Sequence, residues 1–148
     1  MKKIFFCLFV IAFVFILKIY YYGRYNNVVN LSFGRQIEIK KPRRKTLVFQ
    51  TPEAVQEADA FYIFDYEQSD SDDIIKQLEH DDLKHLENQI LVCKRNYNSE
   101  YYHLLEENFP KEINENLYYK IKSTKRDNLI LVYDSSSYKL YYILCYFK

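Results

Sequence analysis

The residues whose types could do chemistry crowd into two short stretches. The first, Glu79-His80-Asp81-Asp82-Leu83-Lys84-His85, is the densest group of candidate metal ligands, and on a helix Asp81 and His85 stand four apart on one face. A metal site also needs a third ligand, for which His103 is the remaining histidine, and groups behind the ligands to orient them. The spacing HExxH is absent. The segment therefore reads as a solvated helix end with an ion pair, and no metal or cofactor is assigned.

The second stretch carries Asp65, Glu67, Asp70, Asp72 and Asp73. A calcium loop begun at Asp70 would put Ile74 and Ile75 where an oxygen ligand and a glycine are required, which excludes an EF-hand. Ser69-Asp70-Ser71-Asp72-Asp73 instead reads as capping oxygens and acids at the positive end of a helix. The same five acids are the candidate partner-binding residues.

A nucleophile would need an activating base. Cys93 lies in the apolar run Ile90 to Lys94, where burial raises a thiol's pKa, and Ser135, Ser136 and Ser137 fall in a loop without the strained elbow that exposes a serine. No catalytic residue is assigned, and the chain reads as a non-enzyme. Cys93 and Cys145 are both expected on strands of one domain. They form a disulfide if those strands are neighbours in an export compartment, and otherwise stay as buried free thiols.

The elements that would position these groups follow from periodicity. Strands are expected at Gln36 to Lys40 and Thr46 to Gln50, then a short helix with Thr51 as N-cap and Pro52 at its first position, then a buried strand from Ala60 to Tyr66. A helix buries Ile74, Ile75 and Leu78, bends near Asp81 and Asp82, and restarts at Leu83 and Leu86 before a strand Ile90 to Lys94. Another helix runs from about Ser99 and ends at Pro110. Strands Leu117 to Ile121, Leu129 to Tyr133 and Lys139 to Phe147 follow, the last two joined as an antiparallel hairpin by Asp134-Ser135-Ser136-Ser137. Leu140, Tyr142, Leu144 and Tyr146 alternate with Tyr141, Ile143, Cys145 and Phe147, so both faces are apolar and the strand should be covered on both. The fold class is α+β (or α/β): a single mixed β-sheet with about three short helices, preceded by an N-terminal hydrophobic membrane-directed helix.

Composition limits the function. The chain has 148 residues, 49% hydrophobic and 28% charged, which suits one ordinary domain. Gly23 and Gly34 are the only glycines, so a glycine loop for phosphate is excluded. A net charge of +1 gives no reason to expect nucleic acid. Charge is blocked, however: residues 24–45 hold seven bases and one acid, and residues 53–82 hold eleven acids and one base. Such opposed fields steer partners. The basic run Lys40, Lys41, Arg43, Arg44 and Lys45 reads as a charged turn that can face lipid headgroups or the acidic block. Sixteen Tyr and eleven Phe give an aromatic excess, and some of Tyr97, Tyr101, Tyr102, Tyr118 and Tyr119 are expected at the surface.

Residues 1–23 are the targeting segment. Lys2 and Lys3 precede fourteen uninterrupted apolar residues from Ile4 to Leu17, between the length of a signal peptide and that of a spanning helix. Tyr21 is a poor fit two residues before Gly23 for cleavage, and Phe5 and Phe6 ahead of Cys7 do not fit a lipoprotein signal. An uncleaved signal-anchor is therefore favoured over a signal peptide, with Tyr20, Tyr21, Tyr22 and Tyr25 in the interfacial belt. Residues 24–148 form a single small domain, placed outside the cytoplasm, on the periplasmic side in a bacterium. Secretion after cleavage and a cytoplasm-facing domain are the alternatives. The expected function is protein binding, as an immunity or inhibitor protein whose partner has a basic surface. A subunit of a membrane-associated assembly is the alternative, and a metal-dependent enzyme built on His80, Asp81, His85 and His103 a third reading.

Overall fold

The computed structural model describes residues 13, 14, 16 and 17, 41–51 and 59–146. The chain divides into two compact units, 1–41 and 42–148. In the first, Phe13, Val14, Ile16 and Leu17 are helical and exposed. Among the described residues no helix is long and apolar enough to cross a membrane. Most of the apolar segment, the strand expected at Gln36 to Lys40 and the helix expected from Pro52 lie outside the described residues.

The second unit is α+β. Its strands are β1 (Arg44–Gln50), β2 (Ala60–Asp65), β3 (Leu117–Ser123), β4 (Asp127–Asp134) and β5 (Lys139–Tyr146), in the order β1-β2-β5-β4-β3. Every pairing is antiparallel. The mixed sheet expected from sequence is corrected here, because the parallel partner it needed, a strand at Ile90 to Lys94, is helical. Three helices lie between β2 and β3: α1 (Ser71–Ile75), α2 (Leu83–Asn96) and α3 (Ser99–Asn108).

The run Ile90-Leu91-Val92-Cys93 has the length and composition of a buried strand. Its surroundings decide otherwise. Leu86, Ile90, Cys93 and Tyr97 recur at steps of four, three and four and are all buried, while Leu91 is 43% exposed, which is a helical stripe. Asp82 caps the helix, its Oδ1 accepting from the His85 amide at 2.8 Å. In the next helix Asn98 is the cap, accepting from the Tyr101 amide at 3.0 Å, and Phe109 ends it one residue before Pro110.

Register sorts the sheet into two faces. Ile143 lies between Phe61 and Ile130, and Tyr141 between Ile63 and Val132; these residues join Leu86, Ile90, Cys93, Leu105 and Phe109 of the helical layer in one core. On the opposite face Phe64, Leu129, Leu131, Tyr133, Leu140 and Tyr142 are also buried, as the unbroken apolar character of the last two strands predicts. The buried Ile74 of α1 and the hydroxyl of Ser71, which accepts from Tyr133 at 2.9 Å, belong to this side.

The helical assignment is testable by stability. Ile90→Ala is expected to lower the unfolding free energy by about 2–5 kcal/mol in urea titration and Leu91→Ala by about 0.5 kcal/mol or less. A strand through these residues would place Leu91 on the same face as Cys93. Equal losses would contradict the helix.

Candidate functional site

The five candidate acids fall between the end of β2 and the first turn of α1, and they are not equivalent. Asp65, half-buried, stands in register between Arg44 of β1 and Lys139 of β5, so cations flank it on both neighbouring strands. The carbonyl of exposed Glu67 accepts from the Asp70 amide at 3.0 Å, closing a tight turn over Gln68–Asp70. Asp72 and Asp73 point into solvent from the first turn of α1. Asp70 occupies the N-cap position but makes no side-chain cap hydrogen bond. This corrects the capping role expected of it. The turn before it already gives Asp70 helical angles (φ −91°, ψ −10°), whereas a capping side chain needs an extended backbone to reach back to the helix amides.

The fold adds an acid that sequence reasoning assigned only to a turn. Asp134 pairs with Lys139, which pairs in turn with Asp65, so the two carboxylates share one end of the sheet. Both influence Tyr141, while Asp70 and Asp134 influence Tyr133; burial is the main reason that each phenol is pushed above its ordinary pKa. The signal was present in the hairpin, since a loop that begins at Asp134 and ends before Lys139 brings those two opposite each other.

Asp134 is held by its own loop. Its Oδ1 accepts from the Ser136 amide at 2.9 Å and the Ser136 hydroxyl at 2.6 Å, and its Oδ2 from the Ser137 hydroxyl at 2.7 Å. Burial by itself would push this carboxyl up. The hydrogen bonds from Ser136 and Ser137 outweigh it and hold Asp134 below the usual carboxylate range. Tyr138 closes the loop at φ 55°, a left-handed conformation that costs a bulky residue about 1–2 kcal/mol. Its carbonyl accepts from the Tyr66 amide at 2.9 Å, tying the hairpin tip to the start of the acidic segment.

The histidine segment is structural. Glu79 exchanges two backbone hydrogen bonds with Tyr119, at 2.7 and 2.8 Å, and so covers the outer edge of β3. His80 stacks on Tyr118 at 4.7 Å with its Nδ1 3.0 Å from the Leu117 carbonyl oxygen. Asp81 precedes α2, so it does not share a helical face with His85, and His103 is exposed on α3. Among the described residues no group of three or more His, Cys, Asp or Glu could hold a metal ion. Known families, curated proteins and solved structures offer no match to this chain.

Of the tyrosines expected at the surface, Tyr97, Tyr101, Tyr102 and Tyr119 pack into the layer between helices and sheet, whereas Tyr118, opposite Tyr133, lies on the other face. Tyr97 is buried and donates to the Leu144 carbonyl at 2.9 Å, Tyr101 stacks on Phe49 at 4.7 Å, and the Tyr119 hydroxyl donates to the Asp82 carbonyl at 3.0 Å. Tyr102 and Tyr118 are half-buried. The Tyr97 and Tyr119 rings fill the gap above the sheet while their hydroxyls reach backbone carbonyls, which is why tyrosine substitutes for phenylalanine there. In the basic run Lys41, Arg43 and Arg44 are exposed, while Lys45 lies over the Tyr62 ring at 4.3 Å. Lys40 lies outside the described residues.

Sequence reasoning also passed over Asp59. It is buried, its Oδ1 accepts from the Tyr146 amide at 2.6 Å, and its own amide donates to the Thr51 hydroxyl at 3.0 Å. Asp59 thereby holds the last residue of the central strand.

Two outcomes follow. Replacing Ser136 and Ser137 together by Ala should raise the Asp134 pKa, read by carboxyl NMR titration. Because the folded pKa is depressed, the stabilisation from Asp134 is complete above the unfolded value of about 3.9 and disappears as pH falls through the folded value; the double variant should lose that acid-side stability. Asp59→Ala should destabilise by about 1–3 kcal/mol in urea titration, since it leaves the partly buried Tyr146 amide without its acceptor.

Proposed function

We propose that this chain is a non-enzymatic protein-binding module, anchored to or exported across a membrane by residues 1–23, that captures a partner with a basic surface in the manner of an immunity or inhibitor protein. The observation that carries this reading is the acidic end of the sheet. Glu67, Asp72 and Asp73 are exposed there beside half-buried Asp65 and Asp70, within nine consecutive residues. Concentrated charge of one sign accelerates encounter with a partner of the other sign by about tenfold to a thousandfold. Asp65, with Arg44 and Lys139 on its flanking strands, serves to position this end, and Glu67, Asp72 and Asp73 serve as the contact residues.

The apolar run Ile4 to Leu17 after two lysines supports the membrane part of the proposal, and the domain is proposed to stand outside the cytoplasm. Membership of a membrane-associated assembly is the second reading, favoured by the same run with the tyrosines that follow it.

The test immobilises the full chain in detergent, captures its partner from the source membranes, and measures association at low and high salt. Asp70→Asn, Asp72→Asn and Asp73→Asn combined should slow association about tenfold at low salt and flatten its salt dependence. An association rate and salt slope that do not change would overturn the acidic-end proposal. Replacing residues 1–23 by a cleavable signal should leave capture intact under the first reading and abolish it under the second.

A further inference from the structure

The two cysteines of the folded unit meet in its core, and nothing in the partner-binding reading makes use of them. Cys93 is on α2 and Cys145 on β5, not on two strands, and both are reduced and fully buried. The Cys145 sulfur is 3.9 Å from the Cys93 carbonyl oxygen. Asn128, opposite Cys145 in the sheet register, brings its Nδ2 to 3.9 Å from the Cys93 sulfur. The same Asn128 is fixed by Ser123 at 2.6 Å and Gln89 at 2.7 Å, so the polar neighbour of the pair is held from both sides. Tyr97 bonded to Leu144 and Asp59 bonded to Tyr146 fix the backbone on either side of Cys145.

We propose that Cys93 and Cys145 are a disulfide-forming pair that closes while the chain folds and staples α2 to the central strand. The oxidant is a small-molecule or protein disulfide, such as glutathione disulfide. One cysteine thiolate attacks it, forming a mixed disulfide and releasing one oxidant thiolate. The second cysteine thiolate then attacks the protein sulfur of that mixed disulfide, forming the Cys93–Cys145 bond and releasing the other oxidant thiolate. Two electrons pass from the protein sulfurs to the oxidant, and the two protein protons end on its thiols.

The timing follows from burial. In the folded unit the Cys93 thiol beside it and exclusion of water both push the Cys145 thiol well above its ordinary pKa, which suppresses the reactive thiolate. No oxidant can reach a sulfur with no exposed surface. The redox state is therefore set before the helical layer closes, and the bond, once made, closes a loop from residue 93 to residue 145 that restricts the unfolded chain.

The experiment uses the unmodified full chain in detergent. It is unfolded with reductant, then refolded in glutathione disulfide with glutathione, alkylated, and digested without reduction for peptide mass mapping. The expected product is a linked Cys93–Cys145 peptide, with a higher urea midpoint than the chain refolded under reductant. Already folded, reduced chain given the same oxidant should keep both thiols over hours. Separate glutathione adducts, bonds from Cys7 to either cysteine, intermolecular dimers or two thiols remaining after oxidative refolding would each overturn the pairing. Equally fast oxidation of the folded chain would overturn closure during folding.

Discussion

A strand that is apolar on both sides and hydrogen-bonded on both edges needs something on all four. That strand is β5, with β2 on one edge, β4 on the other, the α2–α3 layer on one face, and Tyr142 and Leu140 buried on the second. Full burial of a side chain such as Ile143 or Leu140 stabilises by about 1.5–3 kcal/mol relative to exposure. Its backbone polar groups, removed from water, must then all be paired. Asp59 at the Tyr146 amide and Tyr97 at the Leu144 carbonyl complete that pairing where the sheet ends.

Polar chemistry is consequently displaced to the ends of the sheet. One end holds the buried Asp59, the thiols and Asn128, closed to solvent and matched by hydrogen bonds. The other holds the open acidic segment, the serine loop around Asp134 and the left-handed Tyr138, where strain is offset by the Tyr66 amide bond and the carboxylate by three hydroxyl and amide donors. A closed end suits a staple; an open charged end suits encounter.

The connecting segment 76–82 shows how one stretch can be read two ways. Its acids Glu79, Asp81 and Asp82 beside His80 have the residue types of a metal site, yet backbone pairing of Glu79 to Tyr119 and the cap at Asp82 commit the chain to sealing an edge and starting a helix. A side chain that must cap a helix is held in one orientation by the amide it accepts from. Neighbouring ligand types in sequence therefore do not become neighbouring ligands in space.

How much could be read from residues alone differs by element. The antiparallel hairpin of β4 and β5, the doubly buried character of its strands, the helix ending before Pro110 and the acidic block at 53–82 were legible, because alternation, turn residues, helix stops and charge are read over near neighbours. Whether Ile90 to Cys93 is strand or helix was not legible, because four consecutive apolar residues satisfy either period. Only packing decides it: Leu86 and Tyr97 extend the buried stripe, and among the described residues the sheet forms from five strands without this segment. The adjacency of Cys93 to Cys145 and of Asp134 to Asp65 was equally beyond local pattern, since each pair is far apart in the chain, the first joined by packing of α2 on the sheet and the second by strand order and register. Local periodicity determined which residues had to be buried; tertiary pairing decided beside which partners, because register and layer packing are properties of the closed sheet and not of any one segment.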